Sequence, residues 1–161
     1  MLPRDYVGLN CSIARTLEVL GDRWTLLVVR NALLKGTRRF EDFVDELGVA
    51  RNVLSDRLRR LTDQGVLTAV VYQDRPVRHE YQVTPKGREL APILAALTEW
   101  GDRHYASDGP PRVLVHEQCG GHVHVSLDCE TCRREVEPAS ISSRPGPGAD
   151  AACPIARDPR L

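Results

Sequence analysis

The stretch GVARNVLSDRLRRLTDQGVL, residues 48–67, contains one amphipathic helix between two glycines. Leu54, Leu58 and Leu61 recur at helical spacing, and at 100° per residue they fall on one side of the helix. The opposite side carries asparagine, serine, aspartate and arginine. The glycine that follows can end the helix because it adopts left-handed backbone conformations at little cost. We therefore predict a helix over residues 50–64 with one buried and one polar face.

Three more amphipathic segments precede this helix, and each of them ends at a glycine. They are CSIARTLEVLG (11–21), DRWTLLVVRNALLKG (22–36) and RRFEDFVDELG (38–48). Asp22 is suited to cap the second segment because its carboxylate can accept hydrogen bonds from the free N–H groups of the first turn. The chain is therefore predicted to begin with four helices.

Beyond the fourth helix the hydrophobic period changes from 3.6 to 2. VLTAVVYQ (66–73) and VRHEYQVT (77–84) predict two strands joined by the turn DRP, which makes a β-hairpin. The segment TPKGRELAPILAALTEWGDRHYA (84–106) returns to helical spacing with a long apolar stripe. A helix this apolar, at the end of a small domain, is expected to pack on a partner subunit. The stripe consists of Leu90, Ile93, Leu94, Leu97 and Trp100.

The order of these elements is typical of a winged helix-turn-helix: a short helix, a turn with glycine, a second helix and a hairpin. Asn and Arg on the polar face of the helix 50–64 match adenine and guanine edges in the major groove. Arg57 lies closer to the apolar side, so we assign it to a structural ion pair. The predicted base-contacting residues are Arg51, Asn52, Ser55, Asp56 and Arg59.

Further arginines are placed where a winged helix-turn-helix meets the DNA backbone. Two lie in the predicted wing, residues 73–79, and two open the preceding helix, whose N–H groups also suit a phosphate. Taken one at a time, each feature is also consistent with a solvated helix face or a charged turn. With Arg60, which lies on the flank of the helix 50–64, the predicted backbone contacts are Arg38, Arg39, Arg60, Arg75 and Arg78.

Composition agrees with a DNA-binding protein but does not by itself establish one. Net charge is zero, whereas residues 51–88 contain eight Lys/Arg and four Asp/Glu.

No apolar stretch of about eighteen residues is present, which excludes a membrane-spanning helix. Residues 1–12 lack a continuous apolar region, so we expect no secretory signal and a cytoplasmic protein. No phosphate loop, nucleophile elbow or carboxylate pair indicates an enzyme.

Four blocks of the sequence closely resemble the HxlR-type bacterial transcription regulators. They are residues 11–43, LSDRLRRLTDQGVL (54–67), PVRHEYQVTPKGREL (76–90) and LTEW (97–100), and the resemblance covers about residues 9–105. It implies a homodimer joined through its first and last helices, which binds a palindromic operator and answers a chemical signal, either a small molecule or an oxidant. Half-sites about 10 bp apart would be expected. The residues expected in the dimer interface are Leu17, Leu90, Leu94, Leu97 and Trp100.

Cys11 opens the first helix, where the free N–H groups can stabilise a thiolate and so raise its reactivity. Some members of the family sense electrophiles or oxidants through a cysteine, so the resemblance implies a redox sensor at this position. The alternative is a small, partly buried core thiol without a chemical role.

The segment HEQCGGHVHVSLDCETC, residues 116–132, contains two knuckles, in each of which two possible metal ligands are separated by two residues. His116 and Cys119 form the first, and Cys129 and Cys132 form the second. Three thiolates and an imidazole suit a tetrahedral structural Zn²⁺ ion, and the neighbouring sequence predicts short strands around the knuckles. A redox pair of the last two cysteines and inert thiols remain as alternatives.

The fold class we predict is mainly α with a β-hairpin wing, plus a small β-rich, zinc-ribbon-like C-terminal appendage. Residues 1–108 would form the winged helix-turn-helix and dimerisation domain, and residues 109–138 the Cys/His module. Residues 139–161, rich in Pro, Gly and Ala, are predicted to be disordered, with no role for Cys153. Besides a transcription regulator, an interaction adaptor that uses the ribbon and a thiol oxidoreductase that uses its cysteine pair remain as alternatives.

Overall fold

A computed structural model describes residue 6 and residues 9–149 of the chain. The order of elements confirms a mainly helical fold with one antiparallel hairpin. The elements are α1 (Ser12–Leu20), α2 (Arg23–Arg30) with a π-helical extension (Asn31–Lys35), α3 (Phe40–Leu47), α4 (Arg51–Asp63), β1 (Leu67–Asp74), β2 (Val77–Val83), α5 (Pro85–Arg88), α6 (Ala91–Tyr105) and a 3₁₀ turn (Pro138–Ser140).

Local signals place the ends of the helices where they were predicted. The backbone N–H of Trp24 donates to the Asp22 carboxylate at 2.9 Å, so Asp22 caps α2. Gly36 and Gly48 end the α2 extension and α3 with φ values of 73° and 60°. These are left-handed conformations that a glycine adopts without steric strain.

The core lies between α2, α3, α4 and the start of β1. The leucines of α4 point into this core, as their spacing predicts. Their close packing against the other helices holds α4 with its polar face outward. The fully buried apolar side chains are Val28, Val29, Phe43, Leu54, Leu58, Leu61 and Leu67.

The hairpin is connected to the start of α3 as well as to α4. Its two strands pair from Leu67 with Val83 down to Asp74 with Val77. The N–H of Tyr81 also donates to the carbonyl oxygen of Arg38 at 2.8 Å, which adds a short third segment to the sheet. The wing is thereby fixed relative to the helix-turn-helix.

The prediction of one continuous helix over residues 84–106 is wrong. The structure has two helices, α5 and α6, with a turn at residues 89–90 between them. Pro92 provides the reason: it has no N–H, and its ring takes the space beside the carbonyl of Arg88, so the helical hydrogen bonds cannot continue through this point.

The apolar stripe on this segment is divided between two environments. Leu94 is 6% exposed and packs in the core of its own chain, and Leu90 is partly buried against that core. Ile93, Leu97 and Trp100 are 43%, 47% and 52% exposed. Only the second group leaves an apolar face that another subunit could cover.

The strands predicted after residue 108 do not form; single bridge pairs, Val115 with His122 and Asp128 with Glu135, take their place. The chain reverses twice within this short segment and leaves each arm too short for a ladder. The N–H of Val125 donates to Glu99 of α6 at 2.7 Å, which attaches the appendage to the helical domain. Part of the predicted disordered tail, residues 150–161 with Cys153, lies outside the described residues.

Candidate nucleic-acid interface

The outward face of α4 presents most of the predicted base-contacting side chains to solvent. Arg51, Asn52, Ser55 and Arg59 are exposed, whereas Asp56 is half-buried. The leucine face anchors the helix from the other side, so the exposed residues form one continuous polar surface. Such a surface has the donors and acceptors that base edges require.

Arg51 is held by a carboxylate of the preceding helix. Its guanidinium makes two hydrogen bonds to Glu41, one of them 2.6 Å long between Nη1 and Oε2. It also lies 5.1 Å from the ring centre of Phe40. The hydrogen bond from Arg51 lowers the pKa of Glu41 and raises the pKa of Arg51. Since both side chains are exposed, this pair orients Arg51 more than it stabilises the fold.

Asp56 supports its neighbours, and this argues against the predicted contact to a base. Its carboxylate accepts a 2.6 Å hydrogen bond from Nη2 of Arg59 and a second bond from Arg57. The bond from Arg59 is the main reason that the pKa of Asp56 is lowered. With its oxygens bound to arginines of the same helix, Asp56 is placed to orient Arg59.

Arg57 has the structural role predicted for it. Its side chain is 11% exposed, and Nη2 lies 2.6 Å from Oδ2 of Asp22. This hydrogen bond is the largest cause of the lowered pKa of Asp22 and of the raised pKa of Arg57. The Asp22 carboxylate therefore caps α2 and joins it to α4 at the same time.

Arg60, on the flank of α4, contacts α1 within its own chain. Its guanidinium is half-buried and donates to the carbonyl oxygen of Glu18 in α1 at 3.0 Å. This placement argues against the predicted phosphate contact. Helical periodicity puts Arg60 on the flank of α4, but it cannot show that α1 lies against that flank.

The wing carries two exposed arginines, Arg75 and Arg78, and no ion pair is found for either among the described residues. Arg78 is close enough to Glu41 to contribute to its lowered pKa. Glu41 therefore has one cation from the wing and one from α4 beside it. Sequence reasoning missed this carboxylate, because no local pattern relates it to either arginine.

Arg39, which lies between α3 and the wing, already has side-chain partners in its own chain. Its Nε lies 3.2 Å from Glu80 Oε1, and its guanidinium lies 4.9 Å from the ring centre of Tyr72. Arg38, whose carbonyl binds the wing, has an exposed side chain. These contacts place both arginines at the junction of α3 and the hairpin.

Cys11 occupies the N-cap position of α1, as predicted, and it is half-buried. Its carbonyl oxygen accepts the first helical hydrogen bond, from the N–H of Arg15 at 3.0 Å. The thiol makes no capping hydrogen bond to the helix.

The predicted metal ligands are brought together as two pairs. Nδ1 of His116 lies 3.2 Å from Sγ of Cys119. Hydrogen bonds from the backbone N–H groups of Cys132 and Thr131, and from the Cys132 thiol, lower the pKa of Cys129. No group of three or more metal-ligating side chains converges within residues 9–149.

None of the helices in the described part of the chain is long and apolar enough to cross a bilayer.

Residues 19–108 match the HxlR-like helix-turn-helix family. The HTH-type transcriptional regulator Rv3095 of Mycobacterium tuberculosis is 41% identical over 138 residues, which cover 85% of this chain and 87% of the relative. The crystal structure of PA1607, assigned as a transcription factor, has a TM-score of 0.74 and 34% identity and covers 84% of this chain and 94% of that protein.

A shorter likeness is to a redox regulator. The oxidised form of HypR has a TM-score of 0.53 and 30% identity, and covers 58% of this chain and 97% of that protein. The family match ends at residue 108. The matches to Rv3095 and PA1607 cover 85% and 84% of this chain, which is more than residues 1–108 could supply, so both include part of the C-terminal appendage. The family match spans more than half of the sequence, and this chain belongs to the HxlR-like helix-turn-helix family of DNA-binding transcription regulators.

Proposed function

We propose that the chain acts as a homodimer on a palindromic operator, with α4 in the major groove and the wing on the backbone or in the minor groove. The observation that carries this proposal is the exposed polar face of α4 beside a wing with two exposed arginines. Arg51 of α4 and Arg78 of the wing both lie near Glu41, so the polar face of α4 and the wing are neighbouring surfaces. A polyanion with readable base edges fits this combination.

Within this surface, Asn52, Ser55 and Arg59 are assigned to bases. Arg51 joins them once DNA replaces Glu41 as its partner, which is feasible because both side chains are more than half exposed. The backbone contacts are assigned to four exposed arginines: Arg38 and Arg39 at the junction of α3 and the hairpin, and Arg75 and Arg78 in the wing.

The proposed dimer interface uses the apolar side chains that the chain leaves uncovered on α1 and α6. Ile13 and Leu17 of α1 are 71% and 45% exposed. On α6, Ile93, Leu97 and Trp100 lie within about 60° of one another around the helix axis, so they form one stripe. An exposed stripe of large apolar residues marks a surface for another protein chain.

Arg59→Ala and Arg75→Ala should separate base reading from phosphate binding. We expect the alanine at 59 to weaken operator binding by about 5- to 150-fold while changing non-specific DNA binding little. The alanine at 75 should weaken both kinds of binding similarly and reduce the salt dependence of log K by about one unit. Gel-shift titrations on operator and random DNA at several salt concentrations measure both. Arg112→Ala, an exposed arginine of the appendage, is the control. Equal losses of specificity from the first two variants would contradict the assignment.

Cys11→Ser should remove sensitivity to oxidants if this thiol is the sensor. We propose that hydrogen peroxide oxidises Cys11 of both subunits to an intersubunit disulfide, with two thiols losing their hydrogens and peroxide reduced to two waters. Wild-type protein should then lose operator affinity on oxidation and recover it with a reductant. Non-reducing gels and gel shifts test this together. An oxidant response that persists unchanged in the serine variant would show that Cys11 is not the sensor.

A further inference from the structure

The C-terminal appendage contains the same small structure twice, thirteen residues apart. In the first copy, residues 114–123, the N–H of Val123 donates to Leu114 O at 2.8 Å. In the second copy, residues 127–136, the N–H of Val136 donates to Leu127 O at the same distance. Each copy also has one bridge pair at equivalent positions, Val115 with His122 in the first and Asp128 with Glu135 in the second. A repeated backbone of this kind indicates that the two copies have one task in common.

Both copies turn in the same way around their ligand pair. Gly120 N–H donates to His116 O at 2.8 Å, and Arg133 N–H donates to Cys129 O at 2.9 Å. The fifth residue of each turn has a positive φ, 70° at Gly120 and 56° at Arg133. Arg133 is the one non-glycine residue with positive φ in the described part of the chain. An arginine is unfavourable there, so the second turn keeps its shape despite its sequence.

This turn directs the first and fourth side chains toward a common point. His116 Nδ1 and Cys119 Sγ lie 3.2 Å apart, close to the edge of about 3.5 Å that joins a nitrogen and a sulfur around tetrahedral zinc. In the second copy, the N–H groups of Thr131 and Cys132 donate to Cys129 Sγ. Backbone N–H donors of this kind commonly support a metal-bound thiolate.

The appendage needs a stabilising element that its side chains do not supply. None of residues 109–138 is buried, so this segment has no hydrophobic core of its own. Segments of this size usually depend on a metal, a disulfide or a partner for their fold.

We propose that His116, Cys119, Cys129 and Cys132 together bind one Zn²⁺ ion per chain, as two preformed knuckles that close on the metal. Each knuckle alone has two ligands, and the described structure holds the two pairs apart. Three thiolate sulfurs and one imidazole nitrogen complete a tetrahedral site, and zinc is commonly bound by such a set of ligands. The ion orders the appendage that is attached to α6 through Glu99.

Metal analysis of full-length protein, purified without added metal or chelator, tests the proposal. We expect about one zinc per chain in the wild type and in Cys11→Ser, which changes a cysteine outside the knuckles. Cys119→Ser and Cys132→Ser should contain less than a tenth of that amount, whereas His116→Cys should keep it, because a fourth thiolate replaces the imidazole. Circular dichroism and operator binding establish that each variant retains the helical domain.

A second measurement uses the wild type alone and does not depend on how the variants fold. Zinc exchanged for Co²⁺ should give a thiolate-to-cobalt charge-transfer band and the d–d absorption of a tetrahedral site. Absence of both zinc and the cobalt band, or full zinc retention in Cys132→Ser, would overturn the proposal. One zinc for two chains would also overturn it, because the knuckles of one chain would then not form a complete site.

Discussion

Leu97→Glu is expected to convert the dimer into monomers and to lower operator affinity by at least about 100-fold. Leu97 lies in the middle of the exposed α6 stripe, 47% exposed, between Ile93 and Trp100. In the proposed interface a carboxylate at this position would be buried without a partner, which is strongly unfavourable. A monomer binds only one half-site and loses the gain from simultaneous binding of the second. Sedimentation velocity and gel-shift titrations measure the two effects.

The matched control is Val71→Glu, which introduces the same charge at an apolar side chain of equal exposure, 48%, on the hairpin. It should leave the sedimentation coefficient of the dimer unchanged. If Leu97→Glu also remained dimeric at micromolar concentration, the α1–α6 interface would be refuted. If it became monomeric but kept full operator affinity, the proposal of two half-sites would fail instead.

Asp22→Ala is expected to lower the free energy of unfolding by about 3 kcal/mol. About 1 kcal/mol of this is the lost cap on α2, whose first turn donates to the carboxylate. The rest arises because Arg57, with a side chain only 11% exposed, loses one of its two carboxylate partners. Urea denaturation at fixed protein concentration measures the loss. Glu41→Gln, which breaks an exposed pair, is the control and should change the midpoint little.

The contribution of Asp22 should also depend on pH in a defined direction. Its pKa in the folded chain lies below the ordinary value of 3.8, so folding favours the ionised form. The associated stability is complete above about pH 5 and is lost as the pH falls through the folded-state pKa. The stability difference between the wild type and Asp22→Ala should therefore shrink below about pH 4. A difference that stayed constant down to pH 3 would contradict the role of the Arg57–Asp22 pair.

Local patterns in the sequence were sufficient for the elements of the DNA-binding region. The leucine spacing of α4, the cap at Asp22 and the glycines at helix ends are short-range signals, and the structure confirms each of them. The ion-pair role of Arg57 was also predictable, because its angle on the helix places it beside the apolar face. The break near Pro92 could have been predicted as well, since proline cannot accept the interior of a helix.

By itself the sequence determined the helical order, the wing, the polar face of α4 and the family to which this chain belongs. Only the tertiary structure shows which charged side chains of this region have partners within their own chain. Arg60 lies against α1, Asp56 is bound by arginines of its own helix, and Glu41 holds Arg51. Helical periodicity describes one helix at a time, whereas these contacts depend on which elements pack next to each other. Leu94 is a further example: its helical spacing predicts a place in the dimer interface, but the core of its own chain already buries it.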